Sequence, residues 1–95
     1  MKTAFVLVCY DIQETKIRNR LIYVLFAYGL SRVQYSVFYG NIPLARIGLM
    51  TRQIQQEFPK DTDKIMIVPL CKTCVSRLVQ VHGNISVQQR SFIVI

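Results

Sequence analysis

Apolar and polar positions follow two different periods along the first part of the chain. Residues 4–10 are apolar without interruption and rich in β-formers, and Asp11 ends the run, which predicts a buried strand. Thr15 is predicted to cap a helix that Gly29 terminates at the C′ position. The apolar residues between them recur on one helical face: Ile17, Leu21, Val24, Leu25 and Tyr28.

The following segments alternate between the two periods. Residues 32–39 alternate as in a strand, and Gly40-Asn41 is predicted to turn the chain. Pro43 is predicted to start a second helix, whose apolar side carries Ile47, Met50, Ile54 and Phe58. Residues 64–70 predict a strand and residues 71–78 a short helical turn. Residues 79–81 and 92–95 predict two last short strands.

This order of elements predicts an α+β sandwich, with two helices packed on one face of a small antiparallel sheet. The first strand is apolar on both faces, with Phe5, Leu7 and Cys9 on one and Val6, Val8 and Tyr10 on the other. Two helices cover only one face of a sheet. The pattern therefore predicts that a second copy of the chain covers the other face, in a homodimer with facing sheets.

Length, charge and apolar content indicate a single basic domain. Ninety-five residues suit one domain, and 12 Lys and Arg against 5 Asp and Glu give a formal charge of +7. The apolar fraction of 52% excludes a disordered basic tail, and no apolar run reaches the ~18 residues of a membrane span. The first apolar segment ends without a small-residue cleavage site, and the cysteine count of three is odd, so we expect a reduced, cytoplasmic protein. The charge predicts an anionic partner, most simply nucleic acid.

Asp11 is the first candidate for chemistry, because it follows a buried strand where the chain enters a loop. A carboxylate there can hold Mg²⁺, which prefers oxygen ligands. One carboxylate makes a poor metal site, and Glu14 is the only other acidic residue close in sequence, so two copies of Asp11 across a dimer axis would serve better. The alternative is a carboxylate that only caps or solvates the strand end.

Basic residues near Asp11 form a candidate phosphate-binding set: Lys16, Arg18, Arg20 and Arg32. Arg18 and Arg20 lie about 200° apart on a helix, so we expect one to point toward Asp11 and the other toward solvent. Ordinary solvated arginines are the alternative interpretation.

Two further groups are ambiguous. Tyr10, Tyr35, Phe38 and Tyr39 could stack bases beside Arg32, although strand aromatics more often lie in a core or interface. Cys71 and Cys74 have the spacing of half a zinc site, but only Cys9 and His82 remain as further cysteine or histidine ligands, so we expect the pair to pack a turn. Ser36 has no evident base and could at most support a phosphate or a metal-bound water.

Several segments together resemble one family. Val8-Cys9-Tyr10-Asp11, Arg18-Asn19-Arg20-Leu21, the run from Gly29 to Gly40 and Pro69-Leu70-Cys71-x-x-Cys74 are similar to the Cas2 family, the small protein of CRISPR spacer acquisition. Val33-Gln34-Tyr35-Ser36-Val37-Phe38 is the most specific part, and the resemblance extends from residue 4 to about residue 74.

The resemblance implies a ferredoxin-like β-α-β-β-α-β fold and a homodimer. It also implies two strands, residues 32–34 and 36–42, separated by a break near Tyr35, where alternation alone predicts one strand. Residues 1–78 would form the domain, and residues 79–95 a C-terminal segment whose strand, residues 92–95, adds to the partner's sheet.

Two functions follow from the resemblance. The first is a dimeric bridge between copies of the integrase, holding the double-stranded DNA prespacer by its phosphate backbone. The second is a Mg²⁺-dependent endonuclease acting on single-stranded RNA or double-stranded DNA. For the second, the resemblance implies Asp11 as metal ligand, Tyr10, Ser36 and Phe38 as further catalytic-site residues, and nucleic-acid binding by Arg18, Arg20 and Arg32, beside Lys16.

Two alternatives remain open. A toxin-type ribonuclease of similar fold would also carry an aspartate at a strand end, but the run from Val33 to Phe38 argues against it. A non-catalytic ferredoxin-like RNA-binding module would lack an active site, but the chain has no aromatic RNA-recognition signature.

Overall fold

The computed structural model describes residues 2–79 and residue 81. In this part of the chain the elements are β1 (Thr3–Asp11), α1 (Thr15–Ala27), β2 (Ser31–Gln34), β3 (Val37–Pro43), α2 (Leu44–Glu57), β4 (Lys64–Leu70) and α3 (Lys72–Ser76). None of the helices in these ranges is long and apolar enough to cross a membrane.

The sheet has four strands in the order β2-β3-β1-β4. β1 pairs antiparallel with β3 and β4, and β2 pairs antiparallel with β3. With α1 and α2 packed on the sheet, this is the ferredoxin-like β-α-β-β-α-β arrangement, and the predicted α+β class is confirmed. The antiparallel pairing places the end of β1 beside the start of β4 and beside the turn between β2 and β3.

The main core lies between α1, α2 and one face of the sheet. Because strand side chains alternate between faces, Val6, Val8 and Tyr10 of β1 all lie in this core. They are at most 5% exposed. The helices contribute buried residues at helical spacing: Leu21, Val24 and Leu25 from α1, and Met50 and Ile54 from α2. The helical faces predicted from the sequence are the faces that are buried.

The opposite face of the sheet, which we call the open face, has a core of its own at one end. Phe5, Tyr39 and Val75 form a second buried cluster, with Leu7 and Leu70 among the partly buried residues around it. At this end the chain itself covers the open face, because α3 folds onto it. The other end stays open: Met66, which pairs with Cys9, is 60% exposed.

The segment after α1 differs from the simple alternation pattern. Residues 31–43 form two strands, and a register shift between Arg32 and Gln34 precedes the turn at Tyr35 and Ser36. The break near Tyr35 is thus present, although alternation alone predicted one strand. The predicted turn at Gly40-Asn41 is wrong, because both residues lie within β3, opposite Val6 and Phe5.

Gly40 has a packing role instead of a turn role. A Cβ at this position would overlap Leu30 Cδ2 and lie 3.3 Å from Leu30 Cα. Glycine therefore lets the chain leaving α1 pass close to β3. Gly29 does end α1 as predicted: its φ is 95°, and its N–H donates to Phe26 O at 3.0 Å.

Two local predictions are wrong, and a third concerns residues that the structure does not describe. Glu14, not Thr15, occupies the N-cap position of α1, and its side chain makes no capping hydrogen bond. Val79 and Val81 do not lie in a strand, while Gln80 falls outside the described residues. The strand predicted for residues 92–95 also falls outside the described residues.

Candidate metal and nucleic-acid site

Asp11 lies at the end of β1, opposite Lys64 of β4. Its side chain is exposed and accepts a hydrogen bond from Gln13 Nε2 at 3.0 Å. It borders a surface depression of about 620 Å³, lined by residues 9–11, residues 64–66, Asp61 and Asp63. The prediction that Asp11 emerges at the strand end, open to a ligand, agrees with this geometry.

Asp61 and Asp63 are the residues that sequence reasoning missed. They lie some 50 positions from Asp11, in the loop before β4, so the sequence places only Glu14 nearby. The antiparallel pairing of β1 with β4 brings the start of β4 to the end of β1. Two aspartates immediately before a predicted strand were the available signal.

The depression has an acidic rim but no closed metal cage. Three carboxylates line it, from Asp11, Asp61 and Asp63, against the single cation of Lys64. Within the described ranges, no three His, Cys, Asp or Glu side chains are grouped closely enough to hold a metal ion. Mg²⁺ often takes one or two protein carboxylates together with waters and substrate phosphates. The exposed carboxylate of Asp11 fits that open type of site and not an all-protein cage.

Tyr10, Arg32, Tyr35 and Phe38 form one connected group beside the turn between β2 and β3. Arg32 Nη2 donates to the Tyr10 hydroxyl at 3.2 Å, and that hydroxyl donates to Tyr35 O at 3.1 Å. The Arg32 guanidinium carbon lies 5.5 Å from the Tyr35 ring centroid and 5.6 Å from that of Phe38. The structure thus brings together four of the residues that the sequence selected, and fixes the turn relative to β1.

Three of the predicted catalytic-site residues hold this turn in place. Phe38 is fully buried and Tyr10 is 5% exposed, so neither ring offers a surface to a large substrate. Phe38 instead packs edge-on against Phe26 of α1, with ring centroids 5.1 Å apart. Ser36 is half-buried, and its carbonyl accepts the Tyr10 N–H at 3.1 Å. These contacts hold the turn between β2 and β3 against the end of β1 and pack Phe38 onto α1.

Arg18 binds the loop that follows Asp11. Its guanidinium donates to Ile12 O at 2.9 Å, Gln13 O at 3.4 Å and Thr15 Oγ1 at 3.2 Å. The side chain is half-buried. Arg18 is therefore the arginine directed toward the Asp11 end of the sheet, and it holds the connection from β1 to α1.

Arg20 is exposed to solvent, as predicted, but its side chain also contacts α2. Its Nη2 donates to Glu57 O, the last carbonyl of α2, at 2.8 Å. Its guanidinium carbon lies 5.0 Å from the Phe58 ring centroid. The cation lies at a helix C-terminus, where the helix dipole favours positive charge.

Other cations are exposed and free of such contacts. In the part of the chain that the structure describes, several exposed cations make no side-chain hydrogen bond or ion pair, among them Lys16, Arg52, Lys60 and Lys72. Of the predicted phosphate-binding set, Lys16 is therefore the residue whose charge is wholly available to a ligand.

Cys71 and Cys74 do not pack a turn, because both side chains are exposed. Their sulfurs lie 3.4 Å apart at the start of α3. His82, a conceivable third zinc ligand, lies outside the described residues.

Comparison with known proteins agrees with this fold. The family model described as CRISPR associated protein Cas2 matches residues 4–78. The chain is 42% identical over 95 residues, all of both chains, to a CRISPR-associated endoribonuclease Cas2 of Methanospirillum hungatei. It is 39% identical over 78 residues to one of Archaeoglobus fulgidus, covering 82% of this chain and 83% of that protein.

A solved structure adds similarity in three dimensions. A chain of the partial Cas6-RT-Cas1–Cas2 complex superposes with a TM-score of 0.63 at 27% identity, covering 85% of this chain and 93% of that one. The family model spans all but the first residue of the βαββαβ unit, including the end of β1 and the turn at Tyr35. The chain therefore belongs to the Cas2 family of CRISPR associated proteins.

Proposed function

We propose that this chain acts in CRISPR spacer acquisition as a homodimer that binds the double-stranded DNA prespacer and bridges copies of the integrase. The supporting observation is the similarity to a chain of a solved complex that contains Cas1 and Cas2. The family match favours this function over the toxin-type ribonuclease and the RNA-binding module that the sequence left open.

The homodimer proposal rests on the uncovered end of the open face. Met66 is 60% exposed there, and Cys9 and Val37 beside it are half-buried. Contiguous apolar surface on a sheet is the kind that a partner covers in protein–protein interfaces. A second copy placed face to face would cover them. Sedimentation at micromolar concentration should then give twice the 11.0 kDa chain mass, and a species of 11.0 kDa alone would contradict the dimer.

Nucleic-acid binding is proposed to rest on phosphate contacts, since a charge of +7 on a small domain attracts a polyanion of any sequence. Lys16 has a free ammonium group for such contacts. Arg20 and Arg32 are exposed, and a guanidinium that donates one hydrogen bond within the chain keeps other N–H donors for phosphate. Arg18 donates three, so its main role is to hold the loop.

A second candidate function is Mg²⁺-dependent cleavage of single-stranded RNA or double-stranded DNA. The favouring observations are the exposed Asp11 carboxylate in an acidic depression and the endoribonuclease names of the relatives. The residues that line the depression include three aspartates and one lysine, so its charge is negative and a phosphate approaching it requires added positive charge. Mg²⁺, when bound, would supply that charge and activate a water.

In this proposal the chain's own residues prepare the site. Asp11, with a second copy across the dimer axis, would hold Mg²⁺. Arg18 fixes the loop after Asp11, and the contact of Arg32 with Tyr10 fixes the end of β1 that carries it. Ser36 supports the turn through its carbonyl.

A cleavage and binding assay with Asp11→Asn separates the two functions. Asp61→Asn is the matched control, because it removes one carboxylate from the same rim. Cleavage with Mg²⁺ by wild type and Asp61→Asn but not by Asp11→Asn, with duplex binding intact in all three, supports both functions. If none of the three proteins cleaves but all bind duplex DNA, the result supports the bridging function and contradicts the nuclease function. Equal cleavage by wild type and Asp11→Asn contradicts the role of Asp11, and loss of duplex binding in Asp11→Asn contradicts the separation of roles.

A further inference from the structure

Two exposed thiols meet where β4 passes into α3. Cys71 is the N-cap residue of α3, and Cys74 lies in its first turn. The Cys74 N–H donates to Cys71 Sγ at 3.4 Å, and the two sulfurs are also 3.4 Å apart. The two sulfurs of a disulfide bond lie about 2.05 Å apart. Side-chain rotation that brings the sulfurs little more than 1 Å closer would therefore allow the bond to form.

The two thiols are chemically unequal. Hydrogen bonding with Cys74, first with its backbone N–H and then with its side chain, lowers the pKa of the Cys71 thiol. The hydrogen bond with Cys71 raises the pKa of the Cys74 thiol. Thiolates are the attacking species in disulfide exchange, and access controls the rate together with thiolate fraction. Cys71 is thus suited to attack first and Cys74 to resolve the product.

We propose that Cys71 and Cys74 form a thiol–disulfide exchange site that small-molecule disulfides, such as oxidised glutathione, convert to an intrachain disulfide. The Cys71 thiolate attacks one sulfur of the small disulfide and expels the other sulfur as a thiolate. Cys74 loses its proton to solvent and attacks Cys71 Sγ, which expels the second small thiolate. The protein loses two electrons and two protons, and the small disulfide is reduced to two thiols.

The thiol pair adjoins a core residue, so its oxidation has a structural consequence. Val75, next to Cys74, is 1% exposed and packs with Phe5 and Tyr39 on the open face. The disulfide would fix the first turn of the five-residue helix that carries Val75 over this face. Oxidation should therefore raise the Tm of the chain.

The test is intact-mass analysis of the full chain after incubation with oxidised glutathione, an acid quench and alkylation of the remaining thiols. Wild type should show one alkylated thiol and a loss of about 2 Da, the two hydrogens of a disulfide. Cys9→Ser is the matched control, because Cys9 is half-buried in β1, and it should still lose about 2 Da.

The variants of the pair distinguish exchange from nonspecific oxidation. Cys74→Ser should accumulate one glutathione on Cys71, since no second thiol resolves the mixed disulfide. Cys71→Ser should form its mixed disulfide more slowly than Cys74→Ser does, because the lowered thiol pKa belongs to Cys71. Both positions are exposed, so folding is checked by circular dichroism and expected to be unchanged. Three free thiols in wild type at every glutathione ratio, or an oxidised form that Cys9→Ser abolishes, would overturn the proposal.

Discussion

Replacing Arg18 by alanine should destabilise the fold, whereas replacing Lys16 should not. Both changes remove one positive charge from the first turns of α1. Arg18 donates two hydrogen bonds to carbonyls of the loop after Asp11, the shorter at 2.9 Å, and a third to Thr15 Oγ1 at the start of α1. The Lys16 side chain makes none. Comparing the two variants therefore distinguishes a cation that stabilises the fold from one that binds nucleic acid.

The size of the effect follows from the contacts. A hydrogen bond involving a charged group contributes about 1.5–3 kcal/mol. Arg18 is half-buried and two of its three partners are exposed, so we expect the whole set to contribute about 1–2 kcal/mol to the free energy of unfolding. In a domain of this size that corresponds to a fall in Tm of roughly 4–16 °C. Lys16→Ala should change the free energy of unfolding by less than about 0.5 kcal/mol.

The assay combines urea denaturation with a salt titration of duplex DNA binding. If Lys16 contacts a phosphate, Lys16→Ala reduces the slope of log K against log salt by about 0.9. Arg18→Ala should leave most of the salt-dependence slope unchanged when its folded fraction is compared with folded wild type. A stable Arg18→Ala protein with a reduced slope would refute this reasoning, since it would place the Arg18 guanidinium on phosphate and not on the loop.

The remaining predictions concern the two packed faces of the sheet. Tyr39 is 2% exposed and its hydroxyl has no hydrogen-bond partner in the described part of the chain, so Tyr39→Phe should raise the free energy of unfolding by about 1 kcal/mol in urea denaturation at neutral pH. Burial raises the pKa of Tyr39 to about 12, from 10.0. The unfolded chain therefore ionises first, and wild type should lose stability from pH 10 to 12 relative to Tyr39→Phe; parallel curves would contradict the burial of the hydroxyl. Gly40→Ala should lower the free energy of unfolding by about 1–3 kcal/mol, because its Cβ would overlap Leu30. Gly48→Ala, in the exposed interior of α2 with no atom near its Cβ, is the control and should raise it by about 0.5–1 kcal/mol; a neutral Gly40→Ala would show that Leu30 can move aside.

Much of the fold could be predicted from the sequence because its elements carry local signals. The uninterrupted apolar run at residues 4–10 predicted β1, and i, i+3, i+4 spacing predicted the buried faces of both helices. Gly29 was predicted to end α1 because only glycine readily takes a positive φ. Gly40-Asn41 was misread as a turn, because the same residue types also serve where two segments pass closely.

The site was only partly predictable, because its parts meet through pairing between distant strands. The sequence by itself determined Asp11 at a strand end, a basic chain, and the motifs that led to the Cas2 family. Only the tertiary structure brought Asp61 and Asp63 to the rim beside Asp11, through the antiparallel register of β1 and β4. It also decided that Arg18 holds a loop, that Phe38 is buried, and that Cys71 and Cys74 face solvent. Side-chain partners and burial depend on which elements pack together, and residue spacing along one chain does not specify that.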